Sequence, residues 1–252
     1  MNKLLFALPA FLDNCEICLK LIATIMISAS VVHMLSSSHL VFTSLLAIYF
    51  LKKRFYRHHF AAIFAIILGI ALVGVSMLLN EEKHPTETHT IEDLIIGMIV
   101  LQIGEVLGAT GNIVEEKILG DQEALDPLLV VGYEGIAGFC IWAVLLPVFQ
   151  FVPCSINSLC SNGCVEDTQG AMEDYAANPN LIWQSVLLLV LSGASNAVGV
   201  SITKYGSAAS RATVGLAKNM FVWIAFLTIP IPYWSPHTKE WETRIIETFT
   251  FL

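Results

Sequence analysis

The chain has 252 residues, of which 56% are hydrophobic and 13% are charged, and its formal net charge is −8. Because soluble domains have about 25% charged residues, this composition excludes an ordinary soluble domain and predicts an integral membrane protein that forms one transmembrane domain over residues 1–252. The acidic balance and the lack of a basic stripe argue against nucleic acid as a partner.

Seven segments have the roughly 20 mostly apolar residues that a membrane span needs. In chain order they are 4–27, 29–51, 60–79, 94–114, 128–152, 181–203 and 212–231, named A to G. The start "MNKLLFALPAFL" could be a signal peptide, but charged residues stand where its cleavage site would be, so A is predicted to be a span. Charges and prolines after Pro230 predict that the tail, 232–252, does not cross.

The orientation is predicted from the basic cluster "KKRFYRHH" at 52–59, because positive loops stay cytoplasmic. This choice puts the N-terminus, 115–127 and 203–211 inside, and 80–93 and 153–180 outside. Segment 115–127 is acidic, which is contrary to the rule.

The long outside loop, 153–180, contains Cys154, Cys160 and Cys164. A lumenal loop is oxidising, so one disulfide is predicted among these three cysteines. Zinc is the alternative, but the loop has no histidine and only three ligands. We expect no metal and no cofactor, and no redox role for the C-x-x-C of Cys15 and Cys18, which lies inside span A.

Ionisable residues within spans are costly and by default face a cavity or a partner. In A, Asp13, Glu16 and Lys20 share one helical face, and Glu16 can pair with Lys20 at i, i+4. The other polar candidates are Gln102, Glu105, Asn112 and Glu116 in or just after D, Glu134 in E, Asn196 in F, and Arg211 and Lys218 at G. Helices A, D, E and G are therefore predicted to surround a polar cavity of mixed charge.

Plainer interpretations exist for several of these residues. Ser192, Ser195 and Asn196 are typical of interhelical hydrogen bonds, and Arg211 near a helix end could extend to the membrane surface. His33 and His39 in B are interpreted as hydrogen-bonding partners. Gly108 belongs to a G-x-x-x-G in D, which favours close packing against a neighbouring helix.

A short internal similarity links "SASVVHML" at 28–35 with "SAASRATV" at 207–214. In the predicted topology one opens its span from outside and the other from inside. Inverted repeats of this kind place the substrate site of many transporters near the membrane midplane.

Several motifs occur in an order that resembles a known family: "LPAFLD" in A, "SAS" followed by "ML" and "FT" in B, "VEEKIL" at 114–119, "YEGIAGF" at 133–139 and "ITKYGSAASRAT" at 202–213. They are similar to the drug/metabolite transporter superfamily, specifically the nucleotide-sugar-transporter-like F subfamily of solute carrier family 35. The resemblance implies an all-α polytopic bundle, two inverted halves of five helices and alternating access to a central cavity.

On that pattern, A to G correspond to the third through ninth helices, with 4–79 in the first half and 94–231 in the second. The chain would then be truncated at both ends, which leaves three readings: an incomplete gene model, a dimerising short transporter, or a descendant that does not transport. The family also has an arginine where this chain has Ser36. Matching positions make Asp13, Glu116, Glu134, Lys204, Arg211 and Lys218 the expected pathway and gate residues.

The first functional hypothesis is a secondary-active carrier of a small organic solute, anionic or nucleotide-sugar-like, across an endomembrane. Lys218 would attract an anionic group, and Glu105 or Glu134 would take a proton or cation. The sequence has no P-loop, no nucleophile–base arrangement and no H-E-x-x-H, so neither ATP-driven transport nor an enzyme is expected.

The alternative is a non-transporting subunit or scaffold in a membrane complex, for which the intramembrane charges would have to pair with each other. Expected partners are the lipid bilayer, a small solute and either a second copy or a larger complex. The resemblance places the protein in the lysosome or vacuole, with the Golgi and mitochondrion as alternatives.

Overall fold

A computed structural model describes residues 6–27, 29–83, 91–121, 125–151, 168–228, 231–235 and 240–244. These ranges contain nine α-helices and two β-strands. In chain order they are α1 Ala7–Met26, α2 Ala29–Leu35, α3 Ser38–Phe50, α4 Arg57–Lys83, α5 Ile91–Asp121, α6 Pro127–Phe151, α7 Thr168–Ala177, α8 Asn180–Tyr205, α9 Ala208–Thr228, β1 Ile231–Ser235 and β2 Glu240–Arg244.

Five helical stretches of the described chain are long and apolar enough to cross a membrane. They are Val31–Phe50, Arg57–Ser76, Leu94–Gly120, Pro127–Phe151 and Asn180–Tyr205, which correspond to predicted spans B to F. Helices α1 and α9 take the places of A and G, but Asp13, Glu16 and Lys20 in α1 and Arg211 and Lys218 in α9 make them less apolar. The predicted polytopic helical bundle is confirmed.

Span B is broken where the sequence predicts one continuous helix. Helix α2 ends at Leu35 and α3 begins at Ser38, with tightened i to i+3 bonds from the Ser37 N–H to the Met34 carbonyl at 3.2 Å and from the His39 N–H to the Ser36 carbonyl at 3.1 Å. Three consecutive serines explain the break, because serine hydroxyls compete with the helical backbone for hydrogen bonds. His39 thereby lies in the first turn of a new helix.

Two predicted cytoplasmic loops are shorter than expected. Helix α5 continues to Asp121, so residues 115–121 are helical, and only Gly206 and Ser207 separate α8 from α9. The prediction ended D at residue 114 because charged residues begin there. That boundary is wrong, since "EEKIL" contains strong helix formers and no proline.

The start of α6 is set by an aspartate and a proline. The Leu128 N–H donates to Asp126 Oδ1 at 2.9 Å, and the Val130 N–H donates to the Asp126 carbonyl at 3.2 Å. Asp126 is therefore the N-cap, and Pro127 occupies the first helical position, where its missing N–H costs nothing.

Replacing Asp126 with alanine is expected to lower the free energy of unfolding by about 1 kcal/mol, because the α6 N-terminus loses its cap. Asparagine keeps a side-chain oxygen at the same place and should retain most of the stability. Equilibrium unfolding in mixed micelles, followed by tryptophan fluorescence, measures both variants. Equal losses for alanine and asparagine would contradict the capping role.

The helices form two compact units. Unit 1 comprises Met1–Cys18 and Leu107–Arg211, and unit 2 comprises Leu19–Val106 and Ala212–Leu252. The core of unit 1 joins the start of α1, the end of α5 and the helices α6 and α8 through Phe6, Ile118, Leu119, Leu125, Val130 and Val200. Phe6 also stacks on Tyr133 with ring centroids 5.9 Å apart.

The core of unit 2 is built from the end of α1, α2 and the first half of α5. Its buried members are Ala23, Ile27, Val31, Val32, Leu35, Leu94 and Leu101, with Ile70 and Val73 of α4 packed against them. Gly97 permits close packing in this core, because a Cβ there would lie 2.9 Å from Met26 Cβ.

The predicted lumenal loop contains a short helix, α7, whose Tyr175 hydroxyl lies 2.7 Å from Ser185 Oγ of α8. Cys154, Cys160 and Cys164 lie outside the described residues, so the disulfide stays a prediction. In the predicted tail, β1 and β2 pair antiparallel, with Trp234 opposite Trp241.

Candidate functional site

In unit 1, polar side chains from two helices meet at the guanidinium of Arg211. Arg211 NH1 donates to Glu115 Oε2 at 2.6 Å, and NH2 donates to Asn196 Oδ1 at 3.0 Å. Gly199 of α8 leaves room for this side chain, because a Cβ there would lie 2.8 Å from Arg211 Nε. Arg211 therefore links α5, α8 and the first turn of α9 and is held inside the protein by both partners.

Glu116, the next residue, has a different partner. Its Oε2 accepts a hydrogen bond from the Ala208 backbone N–H at 2.9 Å, at the first residue of α9. Ser207 Oγ accepts from the Ser210 N–H at 3.1 Å and satisfies a second donor of the same helix end. A carboxylate is stabilised at a helix N-terminus by the unpaired N–H groups and the helix dipole, so Glu116 holds the first turn of α9 within unit 1.

Lys204 connects the last turn of α8 to the segment that precedes α6. Its ammonium donates to the Leu125 carbonyl oxygen and also lies 5.4 Å from the centre of the Tyr205 ring. A lysine near a helix C-terminus interacts favourably with the helix dipole. Together with Arg211 and Glu116, Lys204 holds the junction between α8 and α9 in unit 1.

Glu134 of α6 is buried, with 7% of its surface exposed. Among the described residues, its Oε1 has no hydrogen-bond partner. Glu115, Asp13 and Arg211 are close enough to interact with it electrostatically. Since burying an ionised carboxylate is costly, this position favours the binding of a positive charge.

The first half of α1 has polar residues that pack closely within unit 1. Asn14 accepts a hydrogen bond from the Trp142 indole N–H of α6 at 2.5 Å and donates to the Ala10 carbonyl at 2.6 Å. The carboxylates of Asp13 and Glu16 lie over two glycines of α5: a Cβ at Gly111 would be 2.8 Å from Asp13 Oδ1, and one at Gly108 would overlap Glu16 Oε2. The glycines thus make room for carboxylates as well as for a helix backbone.

Replacing Gly108 with alanine is expected to displace the Glu16 carboxylate and to lower the thermal unfolding midpoint, because the new methyl group occupies the position of Oε2. Gly120→Ala on the same helix is the control, since a Cβ there meets nothing within 4 Å. That change should stabilise α5 by about 0.5–1 kcal/mol. Equal effects of the two substitutions would contradict the close approach of Glu16.

In unit 2, Glu105 has two cationic partners and is 0% exposed. Lys20 Nζ lies 3.1 Å from its Oε1, and His39 Nδ1 lies 3.0 Å from its Oε2. The sequence offered Glu16 as a partner for Lys20, and the structure shows an ion pair of Lys20 with Glu105. The interpretation of His39 as a hydrogen-bonding residue is consistent with this contact.

The remaining candidates are Lys218, Gln102 and Asn112. Lys218 is exposed and close enough to His33 to interact electrostatically, and Asn219 Nδ2 lies 3.5 Å from the His33 carbonyl oxygen. Gln102 in unit 2 is half-buried, and Asn112 in unit 1 is buried. The role of Lys218 as a pathway residue stays a prediction.

Sequence reasoning missed Glu115 and assigned no site to His39 or Asn14. The signal for Glu115 was its spacing of three residues from Asn112, which puts both on one face if the helix continues. The signal was lost because the span was ended at residue 114. No local pattern points to His39, whose partner Glu105 is 66 positions away.

Comparison with known proteins agrees with the family resemblance seen in the sequence motifs. Residues 1–173 match the family described as CRT-like, chloroquine-resistance transporter-like. Solute carrier family 35 member F6 of Homo sapiens and that of Pongo abelii are each 31% identical over 229 residues, which cover 90% of this chain and 60% of the relative. An uncharacterized protein of Schizosaccharomyces pombe is 27% identical over 224 residues, covering 88% of this chain and 65% of its own. The chain spans about three fifths of the length of these curated relatives.

Proposed function

Because the chain belongs to the CRT-like, chloroquine-resistance transporter-like family, we propose that it is a secondary-active transporter that moves a small organic solute by alternating access. The chain is an integral membrane protein, since it has five described helices apolar enough to cross a bilayer and its relatives are named as solute carriers. The resemblance to the F subfamily of solute carrier family 35 is confirmed. The endomembrane location, substrate and coupling are part of the proposal.

The observation that carries the proposal is the group formed by Glu134, Glu115 and Arg211 in unit 1. Charged groups within apolar helices are costly and are kept where they serve an ion or solute pathway. Glu134 Oε1 has no hydrogen-bond partner within the described part of the chain, so this oxygen does not join Glu134 to another helix. A group of this kind is expected in a carrier.

We propose an anionic or nucleotide-sugar-like solute, which would be attracted by Lys218. Two other cations of the predicted pathway are engaged: Lys20 pairs with Glu105, and Arg211 pairs with Glu115. The ammonium of Lys218 is exposed in α9, so it is accessible to a solute. Asp13 and Glu16 of α1, with Gln102, Asn112 and Asn196, complete the proposed pathway.

The test is uptake by proteoliposomes that contain the purified full chain, using radiolabelled nucleotide sugars and small organic anions as probes. Saturable uptake is expected, and Lys218→Ala should reduce it while the thermal unfolding midpoint stays unchanged, because Lys218 is exposed. Asp13→Ala should reduce it as well. Absence of uptake for every probe, with correctly folded protein, would overturn the proposal.

A second function is favoured by a different observation. Lys20 with Glu105 and Arg211 with Glu115 form ion pairs, which is the arrangement expected of a non-transporting subunit or scaffold. In that case the chain would act as a homodimer or within a larger membrane complex. Loss of assembly in Lys20→Ala, with no uptake by the unaltered protein, would support this function over transport.

We propose the lysosomal or vacuolar membrane as the location, with the Golgi and mitochondrion as alternatives. An oxidising lumen would allow a disulfide among Cys154, Cys160 and Cys164. Peptide mapping by mass spectrometry under non-reducing conditions tests the disulfide, and co-localisation with organelle markers tests the compartment. A chain with three reduced cysteines in this loop would contradict the predicted disulfide.

A further inference from the structure

Two buried glutamates, Glu105 and Glu134, lie in apolar helices and have opposite surroundings. Glu105 has Lys20 at one oxygen and His39 at the other, at 3.1 Å and 3.0 Å. Lys20 and His39 offset the negative charge of Glu105, so an added proton would compete with these two partners. Sequence reasoning left both glutamates as candidates for taking a proton or cation, and these contacts separate them.

Glu134 has the surroundings expected of a group that binds a proton. It is 7% exposed, and within the described ranges its Oε1 accepts no hydrogen bond. Glu115 is 1% exposed, and its Oε1 is likewise without a hydrogen-bond partner in the same ranges. Two neighbouring buried carboxyl groups repel each other when both are charged, so one of them favours the neutral form.

The hydrogen bonds of Arg211 distinguish the two carboxyl groups. Its guanidinium donates to Glu115 Oε2 at 2.6 Å and to Asn196 Oδ1 at 3.0 Å. A charge-assisted bond of this length stabilises the ionised form of Glu115. Glu134, in contrast, receives no hydrogen bond from Arg211 in the described part of the chain.

Charged groups from three other helices interact with Glu134. Asp13 belongs to α1, Glu115 to α5 and Arg211 to α9, and all three interact with it electrostatically. Helix α8 also packs on α6, and its Lys204 donates to the Leu125 carbonyl oxygen. Two of the three groups in electrostatic contact with Glu134 are acidic, so the surroundings favour one added positive charge.

A proton fits this site better than a metal cation. A hard cation needs several oxygen ligands arranged around it, about six to eight for calcium, and Arg211 already holds one of the carboxylate oxygens available here. The guanidinium would also repel a second cation. A proton needs only the single oxygen Oε1 of Glu134.

We propose that Glu134 is the group at which this protein binds and releases the proton that drives transport. The carboxylate takes one proton from one side of the membrane and releases the same proton to the other, so no other bond changes. The coupling role rests on the proposed transport function, whereas proton binding by Glu134 does not. Glu105 is assigned to holding α1, α3 and α5 together within unit 2.

The experiment is infrared spectroscopy of the full chain in proteoliposomes, with the pH of the medium varied and the proton itself as the probe. A protonated carboxyl gives a carbonyl band that shifts when the medium is exchanged for D2O. We expect this band at neutral pH in the unaltered protein and its loss in Glu134→Gln. Glu116→Gln is the control, because Glu116 Oε2 already accepts a hydrogen bond from the Ala208 N–H, and the band should remain.

Three results would overturn the proposal: no band in the unaltered protein at neutral pH, a band that persists in Glu134→Gln, or a band that disappears when choline in the medium is replaced by sodium. The last result would assign a sodium ion to the site. If Glu134→Gln does not give folded protein, Glu134→Asp keeps the carboxyl group and should shift the band, and an unchanged band would count against Glu134.

The same samples separate this inference from the proposed function. If the band depends on Glu134 but no solute is taken up, proton binding by Glu134 is supported and the proposed transport function is contradicted. If uptake is identical in Glu134→Gln and in the unaltered protein, transport is supported and the coupling role of Glu134 is contradicted.

Discussion

Replacing Arg211 with methionine is expected to lower the free energy of unfolding by about 3–5 kcal/mol, because it leaves the buried carboxylate of Glu115 without its partner. Glu115 is 1% exposed, and its Oε2 lies 2.6 Å from Arg211 NH1. Methionine fills much of the same volume, so lost packing contributes little. Equilibrium unfolding in mixed micelles, followed by tryptophan fluorescence, measures the effect.

A second substitution tests whether the lost charge partner is the cause. Glu115→Gln combined with Arg211→Met removes both charges of the pair, and it should recover most of the stability lost in Arg211→Met. Lys218→Met is the matched control on the same helix, because Lys218 is exposed and its loss should change stability little. A double variant as unstable as the single one would show that Arg211 acts through its packing.

Loss of both Lys20 and His39 is expected to cost more than the sum of the two single losses. Each single loss leaves Glu105 with one cationic partner, since Lys20 Nζ and His39 Nδ1 contact different oxygens of the same carboxylate. Lys20→Met and His39→Leu together leave a buried anion without a cation, a change that typically costs about 3–5 kcal/mol. The excess over additivity should be about 0.5–3 kcal/mol.

The four proteins of this double-mutant cycle are compared by the same unfolding measurement. Adding Glu105→Leu to the double variant provides the control, because it removes the buried carboxylate and should recover stability. Purely additive single effects would mean that Lys20 and His39 stabilise unit 2 independently. Glu105 would then not be the centre of the cluster.

Most of the helical architecture could be predicted from the sequence. Apolar runs of about 20 residues locate helices α3 to α6, α8 and α9, because the bilayer demands length and hydrophobicity together. Errors occurred where local chemistry competed with hydropathy. The serines at 36 and 37 broke span B, and the charges at 115 and 116 did not end α5.

The candidate site could be predicted only in part. Charged residues in apolar segments identified Asp13, Glu105, Glu134 and Arg211, since their cost requires a reason. Their partners could not be found in this way. Glu115 looked like a loop residue, and His39 resembled any polar residue in a span.

The sequence by itself determined that this is a helical membrane protein of its family with an unusual number of intramembrane charges, because composition and motif order are properties of the linear chain. Only the tertiary structure decided which charges neutralise each other. Glu105 and Glu134 look alike in the sequence, yet one lies against Lys20 and His39 and the other near Asp13 and Glu115. The reason is that the energy of a buried charge depends on neighbours within a few ångströms, and those neighbours come from distant helices.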